Sequence, residues 1–217
     1  MKKEVRNRLI VTVLLFIAFA VFTVLVKTID VRDIGPDWSS VGFARLNAKI
    51  NLALGESLFW YKVTEAMGIF AIVIGLCFAA LGVLQLIKGK SLKAVDADIY
   101  VLGGFYVLLG IVYAAFEKVV INYRPVLEDG ELAASYPSSH TVLIVGIMLT
   151  TLLQLSNRLR GRKICKPACI ACGVLAVVAV IGRLLSGVHW FTDIAGGVIL
   201  AAALVAMYDT VARQVTT

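Results

Sequence analysis

Ser135–Tyr136–Pro137–Ser138–Ser139–His140–Thr141 stands between a polar loop and an apolar run over residues 142–153. Serine and proline just ahead of an apolar run predict a helix start. The first turn of a helix carries N–H groups with no intrahelical acceptor, and the positive end of the helix dipole lies there too. Such an end is a ready anion site. Ser138, Ser139 and His140 add side-chain donors at the same point. The chain has two histidines. The second, His189, lies in Arg183–Leu184–Leu185–Ser186–Gly187–Val188–His189–Trp190–Phe191–Thr192–Asp193. The organisation of the rest of the chain decides whether these two stretches meet.

The composition points to lipid as the solvent. Of 217 residues, 60% are hydrophobic and 16% charged, with a mean hydropathy of +0.91. Soluble domains run at about 45–50% apolar and about 25% charged. The apolar excess comes in blocks long enough to cross a bilayer. Six spans are predicted, over residues 9–26, 67–87, 99–116, 138–155, 167–188 and 190–208. Together they make a single membrane-embedded domain over residues 1–217. Gly103, Gly104 and Gly110 in the third span predict close helix contact. Gly196 and Gly197 fall early in the sixth. Residues 28–61 read as an outside loop with a turn at Gly35–Pro36 and one interfacial helix carrying Phe43, Leu46, Ile50 and Leu54. A lid or lipid-entry element is the other reading of that loop. Thr210 to Thr217 reads as a short tail.

Charge orients the bundle. The basic residues gather in alternate segments: at the N-terminus, at Lys88, Lys90 and Lys93, and in the loop holding Arg158, Arg160, Arg162, Lys163 and Lys166. Cytoplasmic loops carry such an excess, so both termini are expected in the cytoplasm. This pattern accounts for the net charge of +7 without a nucleic-acid partner. Cys165, Cys169 and Cys172 have a spacing that can hold an iron–sulfur cluster. They run into an apolar helix, however, and read with Cys77 as packing residues. No disulfide framework, cofactor or metal is expected.

The same topology gathers the remaining polar residues at one membrane face. Lys118 and Arg124 follow the third span, Ser138 to His140 open the fourth, Arg183 and His189 close the fifth, and Asp193 opens the sixth. A span count wrong by one would split them across the bilayer. Arginine binds phosphate oxygens bidentately and lysine acts as a point charge. Histidine can serve as nucleophile or general acid near neutral pH. Asp193 follows His189 by four residues, a spacing that on a helical face brings a carboxylate near an imidazole. Each residue alone also has a plain reading, Arg183 as a snorkelling side chain and Asp193 as a helix cap. Ionisable groups clustered beside spans are more often functional.

Arg124–Pro125, then Pro137–Ser138–Ser139–His140, then Arg183 followed at fixed spacing by His189 and Asp193, resemble the three motifs of the type-2 phosphatidic acid phosphatase (PAP2) family. Its members are integral-membrane lipid phosphatases that share a site with vanadium haloperoxidases. The resemblance runs from about Lys118 to Asp193. It implies a six-span helical fold and a two-step phosphoryl transfer without a metal. His189 would attack phosphorus, Asp193 would orient His189, and His140 would protonate the leaving group. Arg124, Arg183, Ser138, Ser139 and Lys118 would hold the phosphate. The implied substrate is a lipid phosphate, such as phosphatidic acid, phosphatidylglycerol phosphate or a polyprenyl diphosphate, reached at the extracytoplasmic face of the cell membrane. The oligomeric state stays open. Three positions depart from the family pattern. Glu117 stands where the family has lysine, with Lys118 one residue late, Ser139 replaces a glycine, and Gly182 replaces a serine. Either Lys118 still reaches the site or that cation is lost. A lipid phosphotransferase and a non-catalytic lipid- or anion-binding membrane protein are the rival readings.

Overall fold

The computed structural model describes residues 3–216. Lys2, one of the expected N-terminal basic residues, lies outside them. Among the described residues, seven α-helices follow in order: α1 (Lys3–Thr28), α2 (Ala44–Leu54), α3 (Leu58–Gly89), α4 (Ala97–Lys118), α5 (Ser139–Arg158), α6 (Cys165–Leu185) and α7 (Phe191–Thr216). All but α2 are long and apolar enough to cross a membrane, as the hydropathy pattern predicts. A two-residue hairpin, β1 (Arg32–Asp33) with β2 (Ser40–Val41), precedes α2.

The core lies around α5 and α7, the most buried of the six spans. α5 packs against α6, α7 and α3, while α7 packs against α1, α5 and α4. Leu102, Phe105, Ile144, Met148, Leu200 and Leu204 are central in the apolar core. The outward faces of α1 and α3 keep large apolar side chains exposed, among them Leu14, Ile17, Ile69 and Leu76. In a bilayer those faces meet acyl chains, which is the arrangement expected of spanning helices.

Four expectations change. α3 begins at Leu58, well before residue 67, because Ser57 caps it by accepting the Trp60 N–H at 3.4 Å. Its 32 residues reach about 48 Å at 1.5 Å per residue, beyond a hydrocarbon core of about 30 Å. The helix is therefore longer than the hydrocarbon core it crosses. Second, the expected tail at Thr210 is helical to Thr216. Thr12 and Thr210 hydroxyls meet at 3.3 Å, and Arg8 pairs with Asp209, so α1 holds this end. Third, Gly103, Gly104 and Gly110 make no close helix contact, since a Cβ at any of them would meet nothing within 4 Å. Close approach occurs instead at Gly196, where a Cβ would fall 2.5 Å from the Tyr136 ring. Last, α2 is bound down and braces the structure. Asn47 is fully buried; its Nδ2 donates to Gly42 O at 2.8 Å and Thr192 Oγ1 at 2.9 Å, and its Oδ1 accepts from Thr192 N at 3.2 Å. It thus fixes the first turn of α7.

Candidate active site

His189 sits in the turn between α6 and α7. Gly187, two residues earlier, has φ 75°, and a Cβ there would lie 2.7 Å from Gly55 O. The left-handed backbone and the tight approach both demand glycine. His189 is 3% exposed. Its Nδ1 lies 2.9 Å from Ser135 Oγ, and Ser135 Oγ donates to Asp193 Oδ2. A serine hydroxyl has one proton. With that proton directed at Asp193, Ser135 accepts from Nδ1–H, and the lone pair of His189 falls on Nε2. That nitrogen is buried without a hydrogen-bond partner. Burial pushes the His189 imidazole well below the usual histidine range, and the Arg183, Arg124 and His140 charges act the same way. His189 is therefore a neutral imidazole with a free ring nitrogen.

The four-residue spacing from His189 to Asp193 does not form a helical pair, because His189 precedes α7. Asp193 reaches His189 through Ser135. Its Oδ2 also accepts the Trp190 N–H at 2.9 Å, and its Oδ1 accepts from Asn122 Nδ2 at 3.1 Å. The first of these is the backward half of a capping box, so Asp193 caps α7 and orients the site at once. Asn122 in turn accepts from Ser135 N at 2.9 Å and from Gly42 N at 3.3 Å.

Ser138 is the N-cap of α5 and is fully buried. Its Oγ accepts from Thr141 N at 3.5 Å and Thr141 Oγ1 at 3.0 Å. Its own N–H donates to Asp193 O at 2.9 Å, which joins the starts of α5 and α7. The N–H groups of Ser139 and His140, at the first two positions of α5, have no intrahelical acceptor by helix geometry. Ser139 also lines a shallow apolar recess of about 20 Å³ between α4 and α5, with Leu109, Val112, Tyr113, Phe116 and Pro137.

Arg183, near the end of α6, is 1% exposed. Its Nη1 donates to Glu65 at 3.1 Å and to Thr64 Oγ1 at 3.4 Å. Its Nη2 lies 3.3 Å from His140 Nδ1, and its guanidinium carbon lies 5.5 Å from the centre of the Tyr61 ring. Its Nε is buried without a partner. Arg124 is 8% exposed and pairs with Glu128 at 3.0 Å. The structure thus brings His189, His140, Arg183, Arg124, Asp193 and Ser138 to one end of the bundle, with Ser139 at its edge. Lys118 stands apart from these contacts. As the last residue of α4 it is exposed and makes no ion pair among the described residues. Ser135, Asn122, Thr64 and Glu65 were not assigned from the sequence. Glu65 had a usable signal, a carboxylate at the edge of an apolar run.

The PAP2 superfamily model matches residues 101–215, and the chain belongs to that superfamily. No curated protein sequence matches it. Among solved structures it is similar to a transmembrane PAP2-type phosphatidylglycerolphosphate phosphatase from Bacillus subtilis. The TM-score is 0.62 at 20% identity, over 94% of this chain and 96% of that one. That likeness gives the fold.

Proposed function

We propose that this phosphoric ester hydrolase of the PAP2 superfamily removes phosphate from a membrane lipid phosphate through a phosphohistidine at His189. The observation that carries the reading is the pair of buried, unpartnered atoms His189 Nε2 and Arg183 Nε. One is a lone pair and the other an N–H donor, and both belong to the same cationic cluster. Buried polar atoms without partners are rare in native proteins, and in the proposed reaction the phosphoryl group supplies the phosphorus and the oxygen that these two atoms lack.

In the first step His189 Nε2 forms a bond to phosphorus while the bond to the leaving oxygen breaks. His140 gives that oxygen a proton. Arg183, Arg124, Ser138 and the N–H groups of Ser139 and His140 hold the equatorial oxygens, where charge is spread in the transition state. Asp193, acting through Ser135, supports the positive charge that develops on His189. Water then attacks phosphorus, with His140 taking its proton, and phosphate leaves. With Lys118 at the exposed end of α4, the two arginines carry the phosphate charge.

The substrate class follows from the surroundings. The apolar side chains beside Ser139, at the start of α5, offer an acyl or prenyl chain a lipid-facing surface next to the proposed phosphate position. Phosphatidylglycerol phosphate heads the candidates because the similar Bacillus subtilis protein is a phosphatidylglycerolphosphate phosphatase. Phosphatidic acid and a polyprenyl diphosphate follow. By the positive-inside rule, the termini lie in the cytoplasm and the site at the extracytoplasmic face of the cell membrane.

The test is phosphate release by detergent-purified protein from these three lipids, with His189→Ala alongside. Release by the wild type and at least a thousandfold loss in the variant is the expected result, as for removal of a catalytic nucleophile. Transfer of phosphate to an added lipid alcohol, with no free phosphate, would replace hydrolase by phosphotransferase. Undiminished release by His189→Ala would contradict the nucleophile assignment.

A further inference from the structure

His140 is clasped from a side that neither the sequence motifs nor the matched residues 101–215 include. Glu65 Oε1 lies 3.0 Å from His140 Nε2, and the same oxygen receives Arg183 Nη1 at 3.1 Å. The opposite ring nitrogen, Nδ1, lies 3.3 Å from Arg183 Nη2. A guanidinium only donates, so Nδ1 accepts there and the ring proton sits on Nε2, facing Glu65. One helical turn along α3, Gly68 leaves room for the imidazole. A Cβ at that position would lie 3.4 Å from His140 Cδ2 and 3.8 Å from Nε2. Tyr61 and Thr64, which contact Arg183, complete the same stripe of α3.

We propose that Glu65 is the positioning residue for the general acid, so that His140 works as a Glu65–His140 pair whose Nδ1 delivers the proton to the leaving oxygen. The inference rests on the hydrolase reading above. Glu65 holds Nε2–H throughout and gives up no proton. With phosphate on Arg183, Nδ1 faces a substrate oxygen in place of the guanidinium. There the protonated ring passes the Nδ1 proton to the leaving oxygen as the phosphorus–oxygen bond breaks. Neutral His140 recovers a proton at Nδ1 from the water that cleaves the phosphoenzyme. The two histidines are then handled alike, each held by a carboxylate at one nitrogen, directly for His140 and through Ser135 for His189. In each case the other nitrogen is aimed at the phosphate.

The test is the leaving-group dependence of Glu65→Gln, which keeps the size of the side chain and removes its charge. General acid catalysis contributes about 10²–10⁴-fold, and an alkoxide needs it whereas a nitrophenolate does not. For an alkyl lipid phosphate, kcat/KM should fall about 10- to 100-fold. For a nitrophenyl phosphate bearing the same kind of chain it should change less than about threefold. Glu65→Asp should show the same split in milder form. Competitive inhibition by inorganic phosphate, retained in both variants, shows that the site is folded. Equal losses on the two substrates, or no loss on either, would overturn the proposal. Failure of the wild type to hydrolyse either substrate would overturn the hydrolase reading itself, which His189→Ala tests separately.

Discussion

At His189 the two ring nitrogens meet different surroundings, Ser135 on one side and an unpartnered buried space on the other. Burial and three cationic neighbours keep this ring neutral well below the usual histidine range, and neutrality is what a nitrogen nucleophile requires. The sign of the pH effect follows. Below about pH 6.5, an ordinary histidine value, the unfolded chain binds a proton at this position that the folded protein refuses. The His189 contribution to stability therefore falls as pH drops from there toward the depressed folded value. The chain has two histidines, so imidazole resonances in a nitrogen-labelled sample are readily assigned with His189→Ala. One resonance is expected to stay neutral well below pH 6.5; a His189 that titrates at or above that value would remove the stated reason for its nucleophilicity. Arg183 shows the complementary arrangement. A buried cation costs several kcal/mol unless paired, and Glu65, Thr64 and the Tyr61 face supply that pairing while Nε stays free.

Among the helices, α2 and α3 hold contributions that a motif-based reading passes over. Asn47 on α2 ties Gly42 to the first turn of α7, the helix that carries Asp193. Replacing it with alanine leaves buried Gly42 and Thr192 groups unsatisfied, at about 1–3 kcal/mol for each such group. Asn47→Ala is expected to lower the thermal midpoint and reduce kcat together, because Asp193 loses its fixed position. Thermal unfolding in detergent with a parallel turnover assay checks this, and an unchanged kcat would mean that α2 is only a surface helix. The existence of every span could be read from hydropathy, since apolar blocks longer than a bilayer have few alternatives. The start of α3 could not. Lys62 and Glu65 interrupt the apolar pattern, and the partners that hold Glu65, His140 and Arg183, lie on α5 and α6, far along the chain. The place of Asp193 was legible but its contact was not, because the bridge through Ser135 depends on how loop 119–138 folds back over α7. Gly103, Gly104 and Gly110 misled for a related reason: small residues permit close packing, and the partner helix lies elsewhere.

Across the whole molecule, polar side chains collect at the two ends of the bundle and the middle is apolar. At the end opposite the site, Arg158 bridges Asp96 at 2.8 Å and Asp98 at 2.9 Å, and Arg8 pairs with Asp209. These pairs clamp α4 to α5 and α1 to α7. The Arg158 guanidinium beside Asp96, with Gln85, holds that carboxyl below the usual aspartate range. At the other end lie the charges to which we assign phosphate chemistry, with the starts of α5 and α7 cross-bonded through Ser138 and Asp193. On the proposed function, that division lets the reacting phosphate enter from the aqueous side while its chain stays in lipid. The central claim is covalent: a phosphoryl group passes through His189. Rapid quenching of the enzyme with a radiolabelled form of its best lipid substrate tests it most directly. The account predicts label on His189 that is stable in alkali, released in acid, and absent from His189→Ala. Steady turnover of that lipid with label on another residue, or with none on His189 at any quench time, would contradict it.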